Sequence, residues 1–184
     1  MEPIVTLPYS EWLVAEHLMA ALPASHGYSV YAPLSRQEKG VDLLLARRLH
    51  GVTRVAALQV KYARAFVKSP KYQFRFEIWF KAFPVSDRAD FFVLATLYPN
   101  ITGRGDGTKS SWWLPLLLLF RREEMNELIS SLRTRPGKVE RMFYFGFDTP
   151  DRVVLTRGKP EHPDFSSFTF AKRLPILKEY LGPA

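Results

Sequence analysis

Residues 39–64 read KGVDLLLARRLHGVTRVAALQVKYAR, two apolar runs that each carry polar residues where a plain core strand would have none. Residues 41–48 and 53–61 have the length and composition of strands, with apolar side chains on both faces, the pattern of strands covered from both sides. A two-residue turn at His50-Gly51, where glycine accepts a positive φ, pairs them antiparallel. That register sets Asp42 opposite Gln59, with Cβ atoms about 5 Å apart, and Lys61 two residues farther along the same face. Leu44, Ala46, Ala57 and Val55 continue this face, so three polar groups stand at one end of an apolar surface. A slip of one residue would send Asp42 to the opposite side.

Working outward, Ser10 is a suitable N-cap for a helix over SEWLVAEHLMAAL (10–22), which ends before Pro23, and YSVYA (28–32) is a short strand. Glu16 lies one turn from Trp12 and Leu13 on one side and from Met19 and Ala20 on the other, an apolar setting in which a carboxylate needs a compensating partner. After Lys61 the segment YARAFVKSPKYQ is basic and aromatic. FRFEIWF (74–80) then alternates Phe74, Phe76, Ile78 and Phe80 with Arg75, Glu77 and Trp79, a half-buried strand. Strands follow at DFFVLATLY (90–98) and WWLPLLLLF (112–120), around the loop NITGRGDGTKSS. RREEMNELISSLR reads as a helix stopped by TRPG, RMFYFGF and RVVLTR as a late hairpin, and FAKRLPILKEYL as a terminal helix despite Pro175.

The chain of 184 residues is 47% apolar and 24% charged, values of an ordinary folded domain, so a single domain spanning 1–184 is expected, with additional strands and helices in its C-terminal third. Lys and Arg number 26 against 18 Asp and Glu, a formal charge of +8 that favours a polyanion such as nucleic acid, with an anionic membrane surface as the competing partner. The absence of cysteine excludes disulfides, thiol nucleophiles and cysteine-ligated zinc. The apolar run Trp112–Phe120 falls far short of the roughly 20 residues of a membrane span, and the N-terminus lacks a signal-peptide layout. A cytoplasmic protein without membrane attachment is the expectation.

An Asp carboxylate, a Gln carbonyl, a backbone carbonyl and a nearby Glu are hard oxygen donors suited to Mg²⁺ or Mn²⁺. Lys61, protonated, is no ligand, but it can stabilise charge on a phosphate or position an attacking water, as metal-assisted phosphodiester hydrolysis requires. A helix Glu (Glu16), then Gly40-Val41-Asp42 at the start of one strand, then Gln59-Val60-Lys61 at the end of the next resembles the PD-(D/E)xK nuclease superfamily. Gln in place of the usual acidic residue is similar to the Mrr-type restriction endonuclease branch, and the Glu16 to Gly27 spacing is similar to that of archaeal Holliday junction resolvases. The motif occupies residues 10 to 61, and the proline of the family's name is missing before Asp42.

The resemblance implies an α/β fold with a restriction endonuclease-like mixed central β-sheet flanked by helices, and a Mg²⁺- or Mn²⁺-dependent DNA endonuclease. It implies Asp42, Gln59 and the Val60 carbonyl as metal ligands, Lys61 as the catalytic lysine and Glu16 as an accessory acid. Glu38 could supply a further carboxylate, and Glu11 could replace Glu16. The alternatives are a nuclease-fold protein that binds nucleic acid without cutting it, and a subunit of a restriction or repair assembly. Cutting both strands of a duplex calls for two sites, so a homodimer is a further expectation.

Arg64, Lys68, Lys71 and Arg75, interleaved with Tyr62, Phe66 and Tyr72, could track a DNA backbone through phosphate contacts. GRGDGTKS imitates a phosphate loop, but Thr108 separates Gly107 from Lys109, and a strand rather than a helix follows. His17, His26, His50 and His162 lack metal-binding spacing.

Overall fold

The computed structural model describes residues 9–33, 39–100, 113–135 and 138–182. Within them the chain runs α1 (Tyr9–Ala21), β1 (Tyr28–Tyr31), β2 (Leu43–Leu49), β3 (Val52–Tyr62), β4 (Ala65–Val67), β5 (Phe76–Lys81), β6 (Phe91–Pro99) and β7 (Trp113–Arg121). It continues through α2 (Arg122–Ser130), β8 (Arg133–Arg135), β9 (Lys138–Val139), β10 (Met142–Phe147), β11 (Val153–Arg157) and α3 (Phe170–Tyr180). Ser10 thus lies inside α1 rather than capping it. The GRGDGTKS loop and Glu38 fall outside the described residues.

His50 and Gly51 both take positive φ, 49° and 80°, the pair a type I′ hairpin turn demands, so β2 folds straight back on β3. The resulting sheet has the order β1-β2-β3-β6-β7. Its neighbours are antiparallel except β3 and β6, which run parallel, so the central sheet is mixed, as expected. One face carries Leu43, Leu45, Leu58, Val60, Phe91 and Val93, and α1 packs on it through Leu13, Val14 and Leu18 and α3 through Phe170 and Leu177.

The other face departs from the expected helix-flanked sheet. Phe92, Leu94, Leu118 and Phe120 meet a second antiparallel sheet of order β11-β10-β5-β4, which presents Phe76, Ile78, Phe80, Phe143, Phe145 and Phe147. The cause is legible in the alternation of FRFEIWF and RMFYFGF: each offers one row made of Phe and Ile and one of mixed character, and the first row must be buried against another apolar face. β6 and β7, apolar on both faces, supply it. The α/β fold is therefore layered as helices, mixed sheet and antiparallel sheet, with α2 closing the second core through Met125 and Leu128. The parallel connection from β3 to β6 passes through β4 and β5 of the second sheet instead of a helix. No described helix is long and apolar enough to cross a membrane.

Candidate active site

The β2–β3 ladder runs from Leu49 opposite Val52 to Leu43 opposite Leu58, the register read from the hairpin. Asp42 stands one residue beyond it. Its N–H donates to the Leu58 carbonyl at 2.9 Å, and its carboxylate accepts the Val60 N–H at 2.7 Å. The side chain thereby takes a strand donor that the ladder no longer pairs, a charge-assisted bond that locks the carboxylate against the Gln59-Val60-Lys61 backbone. Gly40 makes the approach possible: its φ is 93°, and a Cβ there would lie 2.3 Å from the Ser86 hydroxyl oxygen and 3.7 Å from Gln59 Nε2. The segment before β6 is thus pressed onto this end of the hairpin.

Alternation assigns the faces. Leu58 and Val60 point toward α1, so Gln59 and Lys61 point the other way, the side on which their β6 partners Phe92 and Leu94 also lie. Gln59 is 7% exposed, and its Oε1 accepts no hydrogen bond from any described residue. Leaving a buried amide oxygen unpaired costs about 1–3 kcal/mol, so a ligand that engages it gains correspondingly. Lys61 is half-buried, its Nζ 5.3 Å from the centroid of the Phe83 ring, which stacks in turn on Phe92. The aromatic face holds the ammonium at the rim without cancelling its charge. Leu44 and Ala57 are half-buried and Val55 is exposed, so the apolar floor expected beneath the polar group is partly open to solvent.

Glu16 stands apart. It is exposed on α1, whose buried residues Leu13, Val14, Ala15 and Leu18 pack on the opposite face of the sheet. The apolar setting expected for it does not form, because its neighbours Trp12 and Met19 are themselves exposed. Glu11 is half-buried in the first turn of the same helix. Among the described residues no three His, Cys, Asp or Glu side chains gather as a metal cluster. The donors near the hairpin end are one carboxylate, one unpaired amide oxygen and the backbone of Val60, a set of hard oxygens that fits a single divalent cation completed by water.

Sequence reasoning missed Phe83 and Ser86, which come from a segment without periodicity or motif. It also missed Asp90, whose carboxylate accepts the Ala57 N–H at 2.8 Å while its own N–H donates to the Ala57 carbonyl at 2.8 Å. A polar residue opening an apolar strand was the available signal for it. Asp90 also borders a cleft formed with Phe91, Arg121, Arg122, Glu123, Glu179 and Tyr180. Burial and the hydrogen bond to Asp90 push the Tyr180 hydroxyl pKa upward. Arg121 and Arg122 there face Glu179 and Glu123, both at 3.6 Å, so both cations of this cleft have acidic partners, and none of Asp42, Gln59 or Lys61 lines it.

The basic segment is divided. Lys68 forms an ion pair with Glu77 at 3.0 Å and lies over the Tyr72 ring at 4.4 Å. The Arg75 N–H donates to Asp148 at 2.8 Å. Arg64 and Lys71 are exposed. In comparison with known proteins, no family model, no curated protein and no solved structure matches the chain.

Proposed function

We propose that the chain is a metal-dependent DNA endonuclease similar to the PD-(D/E)xK enzymes. The observation that carries this reading is the Asp42 carboxylate fastened to the Val60 N–H beside a buried Gln59 Oε1 that has no partner. Asp42, Gln59 and the Val60 carbonyl would hold Mg²⁺ or Mn²⁺, which would supply charge neutralisation at the scissile phosphate and a more acidic bound water. Lys61 is rich in donors and held at the rim by Phe83, where it would bind a phosphate oxygen and stabilise the charge that develops on it. Arg64 and Lys71 would neutralise neighbouring phosphates. A homodimer would cut both strands.

The test is cleavage of supercoiled plasmid and of branched DNA with Mg²⁺, Mn²⁺ or EDTA, using wild type, Asp42→Asn and Lys61→Ala. Cutting that needs metal and disappears in both variants is the expected result. Salt-sensitive binding without cutting in any metal would shift the assignment to a nucleic-acid-binding protein on a nuclease-like scaffold.

A further inference from the structure

The outer face of the four-stranded sheet carries a row of aromatic rings that the proposed chemistry does not use. Phe66 on β4 stacks on Trp79 of β5 with centroids 4.4 Å apart and planes 27° apart, and Trp79 stacks on Tyr144 of β10 at 5.1 Å and 19°. At the β11 end the row is closed. Arg157 lies over the Tyr144 ring at 5.0 Å, and Glu140 fixes it through an ion pair of 3.0 Å. At the β4 end the cover is looser. β4 is the edge of the sheet, so no further strand follows Phe66, which is 36% exposed. Arg64 lies over its ring, 5.9 Å from the centroid, farther than Arg157 from Tyr144, and among the described residues no carboxylate anchors that guanidinium.

We propose that Phe66 is the seat for an unpaired nucleobase, which extends the stack by one ring while Arg64 and Lys71 neutralise the adjoining phosphates. Three observations select a single-stranded nucleic acid as occupant. Phe66 ends an existing stack beneath a guanidinium that no carboxylate anchors among the described residues, so a base can take that place and leave Arg64 to a phosphate, and every base offers a matching face. From Lys61 to Arg75 the chain holds five cations and no carboxylate, so a polyanion is attracted and a second copy of the same edge is repelled. The acid at the β4 end of the row, Glu77, is already neutralised by Lys68 at 3.0 Å and accepts the Trp79 Nε1–H at 2.7 Å. The seat does not rest on the nuclease reading. Only its placement does: Arg64 follows Lys61 by three residues, about 10 Å of extended chain, which would put the stacked base next to the phosphate being cut.

The experiment measures fluorescence anisotropy in EDTA, where metal-dependent cleavage is silent, with labelled dT12, rU12, a twelve-unit abasic deoxyribose phosphate and a twelve-pair duplex. Wild type is expected to bind a single strand about tenfold or more tighter than the abasic chain and the duplex. Base-dependent binding of dT12 assigns the seat to DNA, and of rU12 alone to RNA; both support it. Phe66→Leu keeps apolar volume and removes the π-face, so it should lose that tenfold preference while still unfolding cooperatively, with a melting temperature lowered by only about 2–4 °C for the lost Trp79 stack, whereas Phe66→Trp should keep the preference. Equal binding of the abasic chain, or full base preference in folded Phe66→Leu, overturns the seat. Self-association that disappears in Phe66→Leu without base-dependent binding would also overturn it, in favour of a second copy. Cleavage by a protein lacking base preference would remove the seat and leave the nuclease reading, and the reverse pattern would do the opposite.

Discussion

In the proposed site Asp42 would do two things, hold the Val60 N–H and bind metal, and substitutions separate them. Asp42→Asn keeps an oxygen that can accept the Val60 N–H, so it should melt close to wild type while metal-dependent cleavage falls at least about a hundredfold. Asp42→Ala leaves that N–H without its acceptor and should also cost about 1–3 kcal/mol, read by denaturant titration. Gln59→Glu gives a third behaviour. Without metal, a carboxylate at this buried position should lower stability as the pH rises and the group is forced to ionise; with Mg²⁺ the loss should be recovered as an upward shift in melting temperature. Absence of that Mg²⁺ shift would mean no cation reaches Gln59. At this scale the hairpin residues were legible because the His50-Gly51 turn defines which side chains face one another. Glu16 was misread because Trp12, Met19 and Ala20 are apolar in type yet exposed, while the stripe that α1 buries runs through Leu13, Val14, Ala15 and Leu18. Residue type cannot distinguish two adjacent stripes when apolar residues occupy both.

At the level of elements, the link between β11 and α3 should carry a pH signature. Asp164 accepts hydrogen bonds from the Ser166 hydroxyl and backbone N–H, and these hold its carboxyl pKa below the usual carboxylate value. The Ser166 oxygen in turn accepts the Val153 N–H at 2.9 Å, so the carboxylate secures the turn to the strand. A depressed pKa means the stabilisation is complete above the unfolded value of about 3.9 and is lost as pH falls through the folded one. Wild type should therefore melt higher than Asp164→Ala at neutral pH, with the gap closing in acid; a gap unchanged in acid would exclude the charge as its source. The aromatic row should matter to its sheet as well. Trp79→Ala removes two stacked pairs and should destabilise by about 1–3 kcal/mol in denaturant unfolding. Of the strands, the long ones were evident from alternation or from continuous apolar runs. β4, β8 and β9 were not, because two or three residues contain too few alternations to register as a period.

For the molecule as a whole, the charge of +8 would make the proposed association with nucleic acid a matter of ionic strength. If Arg64 and Lys71 each meet a phosphate, replacing either by Ala should reduce the slope of log affinity against log salt by about one. Single-stranded probes should show a slightly smaller decrease, and an unchanged slope would remove that residue from the interface. The second sheet was the main feature hidden from sequence. Its pairing of β5 with β10, from Met142 opposite Lys81 to Phe147 opposite Phe76, joins residues 61 to 71 positions apart, and only the shared need to bury one phenylalanine-rich row hints at it. The same routing bears on how the protein gains and loses its structure. The chain leaves the first sheet after β3, lays down two strands of the second, returns to complete the first with β6 and β7, and only then completes the second with β10 and β11, so the two layers are built in alternation. Unfolding should then be a single concerted event, with helix loss followed by circular dichroism and ring packing followed by tryptophan fluorescence coinciding at one midpoint. Acquisition should be slow for a chain of this size, since distant partners must meet before either layer is rewarded. The polar end of the hairpin, stitched into β6 through Asp90 and Ala57, would share the lifetime of the entire molecule rather than opening on its own.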